Sequence, residues 1–407
     1  VSRPVQKVEL GFGDNAPGNW FTLDNATRGV LDGSTYVLSG ASYYDITQYV
    51  KNVSVQRGKN RELDRFNAGR ISITVDNRTR LFDPTFAASP FYGQIVPRRD
   101  IRYTAGTAVQ FTGLVDDWNL DYTPDRQSTA SATGYDGFSL LAGQVLTGGT
   151  ATSQLSGARI NAVLNDPKVN WSATTRAIDA GQETLQADVI AANQDVISYI
   201  NTIEQTEPGV FFMDKKNFAT FKDRASIVAS STAPILADDG SGIPYSQIKV
   251  VYGSELLYNQ VVATRLNGGT ATANDATSQA AYGIRTWELN GLLHNTDLAM
   301  ANLAAYLVNQ YSTPEFRFES VDIVLNDLTP TQQTTLLNLE IGQVCNIVFT
   351  PNGITPAINK MAEVLGISHI VDAEVHRMVL NFQTLDLGLF ILDDTRFGLL
   401  DLNSLGL

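Results

Sequence analysis

Cysteine is nearly absent from this 407-residue chain: Cys345 stands alone, so no intrachain disulfide can form. That fits folding in a reducing compartment, or a fold that needs no covalent staple. Histidine is almost as scarce, with His294, His369 and His376 only. Long apolar runs are missing as well. No stretch reaches about 18 apolar residues, which argues against a helical membrane span. The opening VSRPVQKVELGFGDN lacks the apolar centre of a secretory leader. Charged residues make up 17% of the chain, below the usual share of about 25%.

The signatures of catalysis are missing too. No H-E-x-x-H, phosphate-loop or G-x-S-x-G string occurs. His369 and His376 lie seven residues apart on a predicted hairpin, with Asp372 between them. That spacing is too wide and that ligand set too small for a metal site, so both read as strand residues. Cys345, inside GQVCNIVF, reads as a buried small hydrophobe. Asp116-Asp117, Asp238-Asp239 and Asp393-Asp394 are adjacent pairs. Neighbours on a strand point to opposite faces, so such a pair makes a poor acid/base couple. A plain turn explains Asp238-Asp239-Gly240-Ser241 more simply than a calcium loop does. Trp20, Trp118, Trp171 and Trp287 are scattered, which is the pattern of core packing. No catalytic residue, cofactor or metal is expected.

What is present is apolar residues at 43% and 32 glycines, enough for packed cores and frequent turns. The length allows roughly two to four domains of about 100–200 residues. Residues 41–136 alternate with period two, as in GRISITVDNRTRLFDP, and predict an antiparallel β unit. Residues 137–240 predict helices at GYDGFSLLAGQ, from about Ser156, and over NQDVISYINTIEQTEPG, followed by a hairpin turning at Asp214–Asn217. Residues 241–386 are mainly β, with a long small-residue loop at NGGTATANDATSQAAYG and one inserted helix that Thr296 can cap. Residues 1–40 and 387–407 read as arms.

The charge is uneven. The whole chain carries −13, yet Lys51–Arg102 holds eleven basic and five acidic residues, a local balance of +6. One reading is a solvated strand face. The other is a docking face on which several of Arg57, Lys59, Arg61, Arg65, Arg98 and Arg99 meet a partner. Interleaved acids and the overall negative charge disfavour sequence-specific nucleic-acid binding.

The two arms share a device. FTLDNATRGVLD at Phe21–Asp32 and FILDDTRFGLLD at Phe390–Asp401 carry Phe, Leu, Asp, Gly, Leu and Asp at the same offsets. Phe21, Leu23 and Leu31, or Phe390, Leu392 and Leu400, would supply apolar anchors. Asp24, Asp32, Asp393 and Asp401 would bond backbone N–H groups. Each copy either covers a sheet edge of its own chain or clips onto another protein.

Four strings then stand out: D-I-T-x-Y-V at Asp45–Val50, R-G-x-x-R-E-L-D-x-F-x-A-G at Arg57–Gly69, D-N-R-x-R-x-F-D-P at Asp76–Pro84 and S-P-F-Y-G at Ser89–Gly93. Together they resemble the minor tail proteins, the baseplate or tail-tip hub family, of long-tailed phages that infect actinobacteria. Later segments, such as PGVFFMDKKNFATFKDR and IGQVCNIVF, extend the resemblance over nearly the whole chain. The resemblance implies a mainly β fold with α+β insertions: two related antiparallel β-barrels, at 41–136 and 241–386, joined by α/β segments. It implies a structural, non-enzymatic virion protein at the tail tip, which closes the tube and adapts six-fold to three-fold symmetry as a homotrimer. The implied partners are the distal tail ring protein, the tape-measure protein and other minor tail proteins. Two alternatives stay open: a six-copy distal tail ring protein, and a carbohydrate-binding adsorption protein.

Overall fold

A computed structural model describes residues 2–12, 42–226 and 233–385. The described residues begin with seven strands: β1 (Gln6–Phe12), β2 (Ser42–Asp45), β3 (Val50–Gly58), β4 (Asn67–Asp76), β5 (Asp100–Ala105), β6 (Ala108–Asp121) and β7 (Thr129–Tyr135). Their alternation is the one expected of half-buried strands. Ile71, Ile73 and Val75 of β4 are buried, while the residues between them are only partly covered. β1 lies within the segment read as an N-terminal arm, yet it is a full member of the sheet, paired with β2 and β5. Val8, Leu10 and Phe12 alternate inward and hold it there.

An α/β insert follows. It contains α1 (Phe138–Ala142), β8 (Gly149–Ala151), β9 (Gln154–Leu155), α2 (Ser156–Leu164), β10 (Arg176–Ile178), β11 (Thr184–Leu185), β12 (Asp188–Ile190), α3 (Val196–Thr206), β13 (Val210–Met213) and β14 (Ala219–Lys222). The expected helices are present. α3 starts where the Asp195 carboxylate accepts from Ser198 N, and it buries Val196, Tyr199, Ile200 and Ile203. The expected hairpin is β13–β14.

The last part holds β15 (Ile235–Ala237), β16 (Gln247–Tyr252), β17 (Gln260–Arg265), β18 (Thr270–Asn274), α4 (Ala276–Tyr282), β19 (Thr286–Leu292), α5 (Asp297–Tyr311), β20 (Phe316–Val324), α6 (Pro330–Asn338), β21 (Val344–Phe349), β22 (Ile358–Val371) and β23 (His376–Leu385). Two readings need correction here. The small-residue segment expected to be a loop contains β18 and α4, because Thr270 and Thr272 pair with β17 and Asp275 caps the alanine-rich turn that follows. α6 was not anticipated. Thr329 and Gln332 cap its start reciprocally, with Pro330 at its first position. α5 matches expectation: Thr296 accepts from Ala299 N, and Met300, Leu303, Ala304 and Leu307 face inward. With β17 and β19 they form a small core of their own.

The two β units are not separate. Thirteen of the described strands make one sheet, whose main path runs β16-β20-β23-β22-β3-β4-β7-β6-β5-β1-β2. β22 is the branch point. Its first half pairs with β21, and its second half, from Gly366 to Val371, pairs with β3. Among the described strands this is the only ladder between the two units. The sheet also curls. The Tyr103 ring on β5 meets the His369 ring on β22 at 6.3 Å, although β3, β4, β7 and β6 lie between them in the sheet. No ladder among the described strands closes the curl into a hydrogen-bonded barrel; these strands form one curled, branched sheet. One large core runs through both β units and the insert. No helix among the described residues is long and apolar enough to cross a membrane.

Candidate interaction surface

The basic segment was the sequence-level candidate for a docking face, and the structure divides it. Arg57, on β3, turns inward and is 4% exposed. Its Nη2 pairs with Glu340 Oε1 at 2.7 Å and donates to Met213 O at 3.0 Å. This corrects the expectation for Arg57: the period-two pattern places it on the buried face, where it ties β3 to the insert and to the turn after α6. Lys59 is half-buried. Its ammonium donates to Glu62 O at 2.6 Å and lies 5.1 Å from the Phe66 ring centre. Arg61 is exposed and paired with Glu255 at 2.8 Å, a contact that solvent screening weakens. Arg65 and Arg98 are exposed, and Arg98 sits at a left-handed φ of 67°. Arg99 is half-buried, with a covered Nε that has no partner among the described residues. Arg61, Arg65 and Arg98 therefore remain on the surface. Phe21, Leu23, Asp24, Leu31, Asp32, Phe390, Leu392, Asp393, Leu400 and Asp401 lie outside the described residues.

The strings that carried the resemblance have structural work to do. Gly58, the glycine of R-G, has φ +84°, and a Cβ there would fall 2.2 Å from Leu365 O. Only glycine lets β3 approach β22 this closely. Gly69 N donates to the buried Asp136 carboxylate at 2.9 Å, and Phe138 N donates to its other oxygen at 3.1 Å. Burial pushes Asp136 up to about 7 even so. In the connection from β4 to β5, Asn77 Oδ1 accepts from Phe82 N at 2.9 Å. Asp83 accepts from Thr85, Tyr122 and Arg80. Those bonds hold its carboxyl well below the usual range, the Thr85 hydroxyl foremost. Ser89 donates to Leu81 O at 2.6 Å, which seats Phe91. Phe91 packs on Phe12, Tyr44 and Phe82, and Phe82 stacks on Trp118. The long connection is thus a rigid cap over one end of the first β unit, with Tyr92 and Val96 left exposed on it.

A second cluster escaped sequence reasoning, because its members come from four segments. Around Lys59 stand Glu62, Glu204 of α3 and Glu363 of β22. Tyr311 of α5 donates to Glu62 at 2.7 Å. Burial pushes Glu204 and Glu363 up to about 7, against the attraction of Lys59, and lowers Lys59 itself. The cluster is the joint at which the β3–β4 connection, the insert and the α5 module meet. No group of three or more His, Cys, Asp or Glu suited to a metal ion occurs among the described residues. Cys345 is buried, with its thiol pushed up to about 12, so its reactivity is low.

With that geometry in place, comparison with solved structures is informative. A tail protein from Neisseria meningitidis superimposes with a TM-score of 0.60 at 9% identity, over 85% of this chain and 94% of its own. A tail protein of a Shewanella oneidensis prophage gives 0.58 at 13% identity, over 94% and 97%. This chain has a phage tail-protein fold. A prophage tail protein from Listeria monocytogenes gives 0.50 at 11% identity, over 84% and 91%. No protein-family model matches the sequence, and neither does any curated protein. At these identities the likeness is one of fold, and it spans both β units and the insert together.

Proposed function

We propose that this chain is a structural component of a phage tail, placed at the tail tip as a hub. The observation that carries the reading is the near-complete coverage, in both directions, of the Neisseria and Shewanella tail proteins by one continuous fold. The four strings between Asp45 and Gly93, which build the β3–β22 approach and the aromatic cap, support it from the sequence side.

Three copies of a chain with two β units present six such units around an axis, and six units meet a six-fold tube by quasi-equivalent contacts. In this reading the homotrimer closes the tube and contacts the distal tail ring protein, the tape-measure protein and other minor tail proteins. The exposed Arg61, Arg65 and Arg98 set register against an acidic neighbour. The role is assembly, without catalysis or cofactor.

A symmetry-resolved electron cryomicroscopy map of the tail end tests this. Three copies at the tip are expected. Six copies in a ring above the tip would replace the hub by the distal-ring reading. Absence of the chain from purified virions would remove both.

A further inference from the structure

The histidines dismissed as metal ligands meet in the structure. His369 on β22 and His376 on β23 are 1% and 0% exposed. His369 Nδ1 and His376 Nε2 are 2.9 Å apart. We propose that this pair is an acid-sensitive latch between the two β units: protonation of the pair loosens the β22–β23 hairpin from the wall made by β1, β3 and β5.

The argument starts at Gln6 on β1. Its Nε2 donates to Pro4 O at 2.6 Å, which identifies the nitrogen end of the amide. Its Oε1 accepts from the Tyr103 hydroxyl. The same Nε2 lies 3.1 Å from His376 Nδ1, so that ring nitrogen accepts. Neutral His376 then carries its proton on Nε2 and donates it to His369 Nδ1. His369 in turn carries its proton on Nε2, which is buried without a partner among the described residues. The chain from Tyr103 through Gln6 and His376 to His369 runs in one direction. A further proton on either Nδ1 would set two donors face to face.

The charges that act most strongly on the pair are of one sign. The charged groups acting on His369 are His376, Arg57 and Lys215, and the one acting on His376 is Arg3. All are cationic when protonated. The nearby carboxylates are already engaged: Glu340 binds Arg57 and the backbone of Lys215, and Asp372 accepts from Glu374 N and Val375 N. Tyr103 stays neutral, because burial raises it far above its ordinary value.

The position gives the pair its leverage. His369 pairs with Val55 in the ladder between β22 and β3, and the Tyr103 ring of the opposite wall lies against it. Gln6 and Tyr103 belong to the first β unit, and the two histidines to the second. Their polar chain is a bond between the units across the curled sheet, beside the ladder that joins them.

Burial holds both imidazoles below the usual histidine range, with His376 at about 4. The sign follows. Unfolded histidine takes up a proton near pH 6.5, whereas the folded pair does not. The contribution to stability is therefore full above about pH 6.5 and is lost as pH falls toward about 4. Asp136, Glu204 and Glu363, raised to about 7, act with the opposite sign and gain on acidification. A weakening in acid cannot come from them.

The test uses the full chain. Amide exchange, corrected for intrinsic rates, is followed at Gly366–Val371 and Val53–Gly58 at about pH 7.5 and pH 5, with the β4–β7 ladder as internal reference. Protection of the β22–β3 ladder is expected to fall about tenfold or more relative to the reference. The double variant His369→Gln/His376→Gln is expected to lose that dependence, and His294→Gln to keep it. Imidazole NMR titration of the unaltered protein decides the matter if the double variant does not fold. Both histidines are expected to titrate below the ordinary histidine value of about 6.5. Titration of both at or above about pH 6.5, or equal acid response of the two ladders, overturns the latch.

Discussion

At the scale of single residues, burial and close approach decide more than residue type. Gly58→Ala is expected to destabilise the chain by about 2 kcal/mol or more, through a left-handed φ and a Cβ 2.2 Å from Leu365 O. A urea midpoint unchanged from the parent would show that β3 and β22 are free to separate. Arg57 pairs with Glu340 from a position 4% exposed. Arg57→Ala is expected to cost about 3 kcal/mol, because it removes the charge partner of Glu340 and the donor to Met213 O; a double variant that also replaces Glu340 is expected to recover part of the loss. Glu363 carries the pH prediction. Its carboxyl is raised by burial to about 7, and one of its oxygens has no partner among the described residues. The stability tied to its neutral form is present below about pH 4.5 and is lost as pH rises through about 7. Glu363→Gln is expected to gain about 1–3 kcal/mol over the parent at pH 8 and little at pH 4, as read from denaturation at both pH values.

At the scale of elements, the helices were legible where a cap and an apolar stripe coincide. α3 and α5 have both, in Asp195 with Val196, Ile200 and Ile203, and in Thr296 with Met300, Leu303 and Leu307. α6 was legible in principle through Thr329-Pro330 and Gln332, but its apolar stripe is short and gives no periodicity to read. Thr329→Ala removes the half of that capping box in which the hydroxyl accepts from Gln332 N, and leaves the backbone N–H at 329 donating to Gln332 Oε1. It is expected to cost about 1 kcal/mol in thermal or chemical denaturation. α6 also sends Leu337 O to the Gln110 side chain of β6, so its loss would loosen the first β unit as well. α4 and β18 were hidden by composition, since alanine and threonine in NGGTATANDATSQAAYG mark neither a strand nor a helix without neighbours to pack against.

At the scale of the molecule, the branched sheet makes one body of two units. Removing residues after 240 would leave the β3 edge, with the buried Val53 and Val55, without its partner strand. The fragment 1–240 is expected to aggregate or to stay partly unfolded, whereas the whole chain unfolds its main sheet in a single transition. A soluble, cooperatively folded fragment would show that the β22–β3 ladder is dispensable. The small core of α5 with β17 and β19 is separate, so its amides are expected to exchange before those of the main sheet.

The candidate surface was only half legible. Composition showed a basic segment, but one period-two step decides that Arg57 faces Glu340 while Arg61, Arg65 and Arg98 face solvent. By itself the sequence determined the strand-rich class, the α/β insert between two β units, the main helices and the lack of catalytic motifs. These follow from local periodicity, capping and turn chemistry, which act over a few residues. Only the tertiary structure decided that the two units share one sheet, that three glutamates surround Lys59, and that His369 and His376 bond through Gln6 to Tyr103. Those contacts join residues up to hundreds of positions apart. Their energies depend on burial and register, which no local pattern encodes.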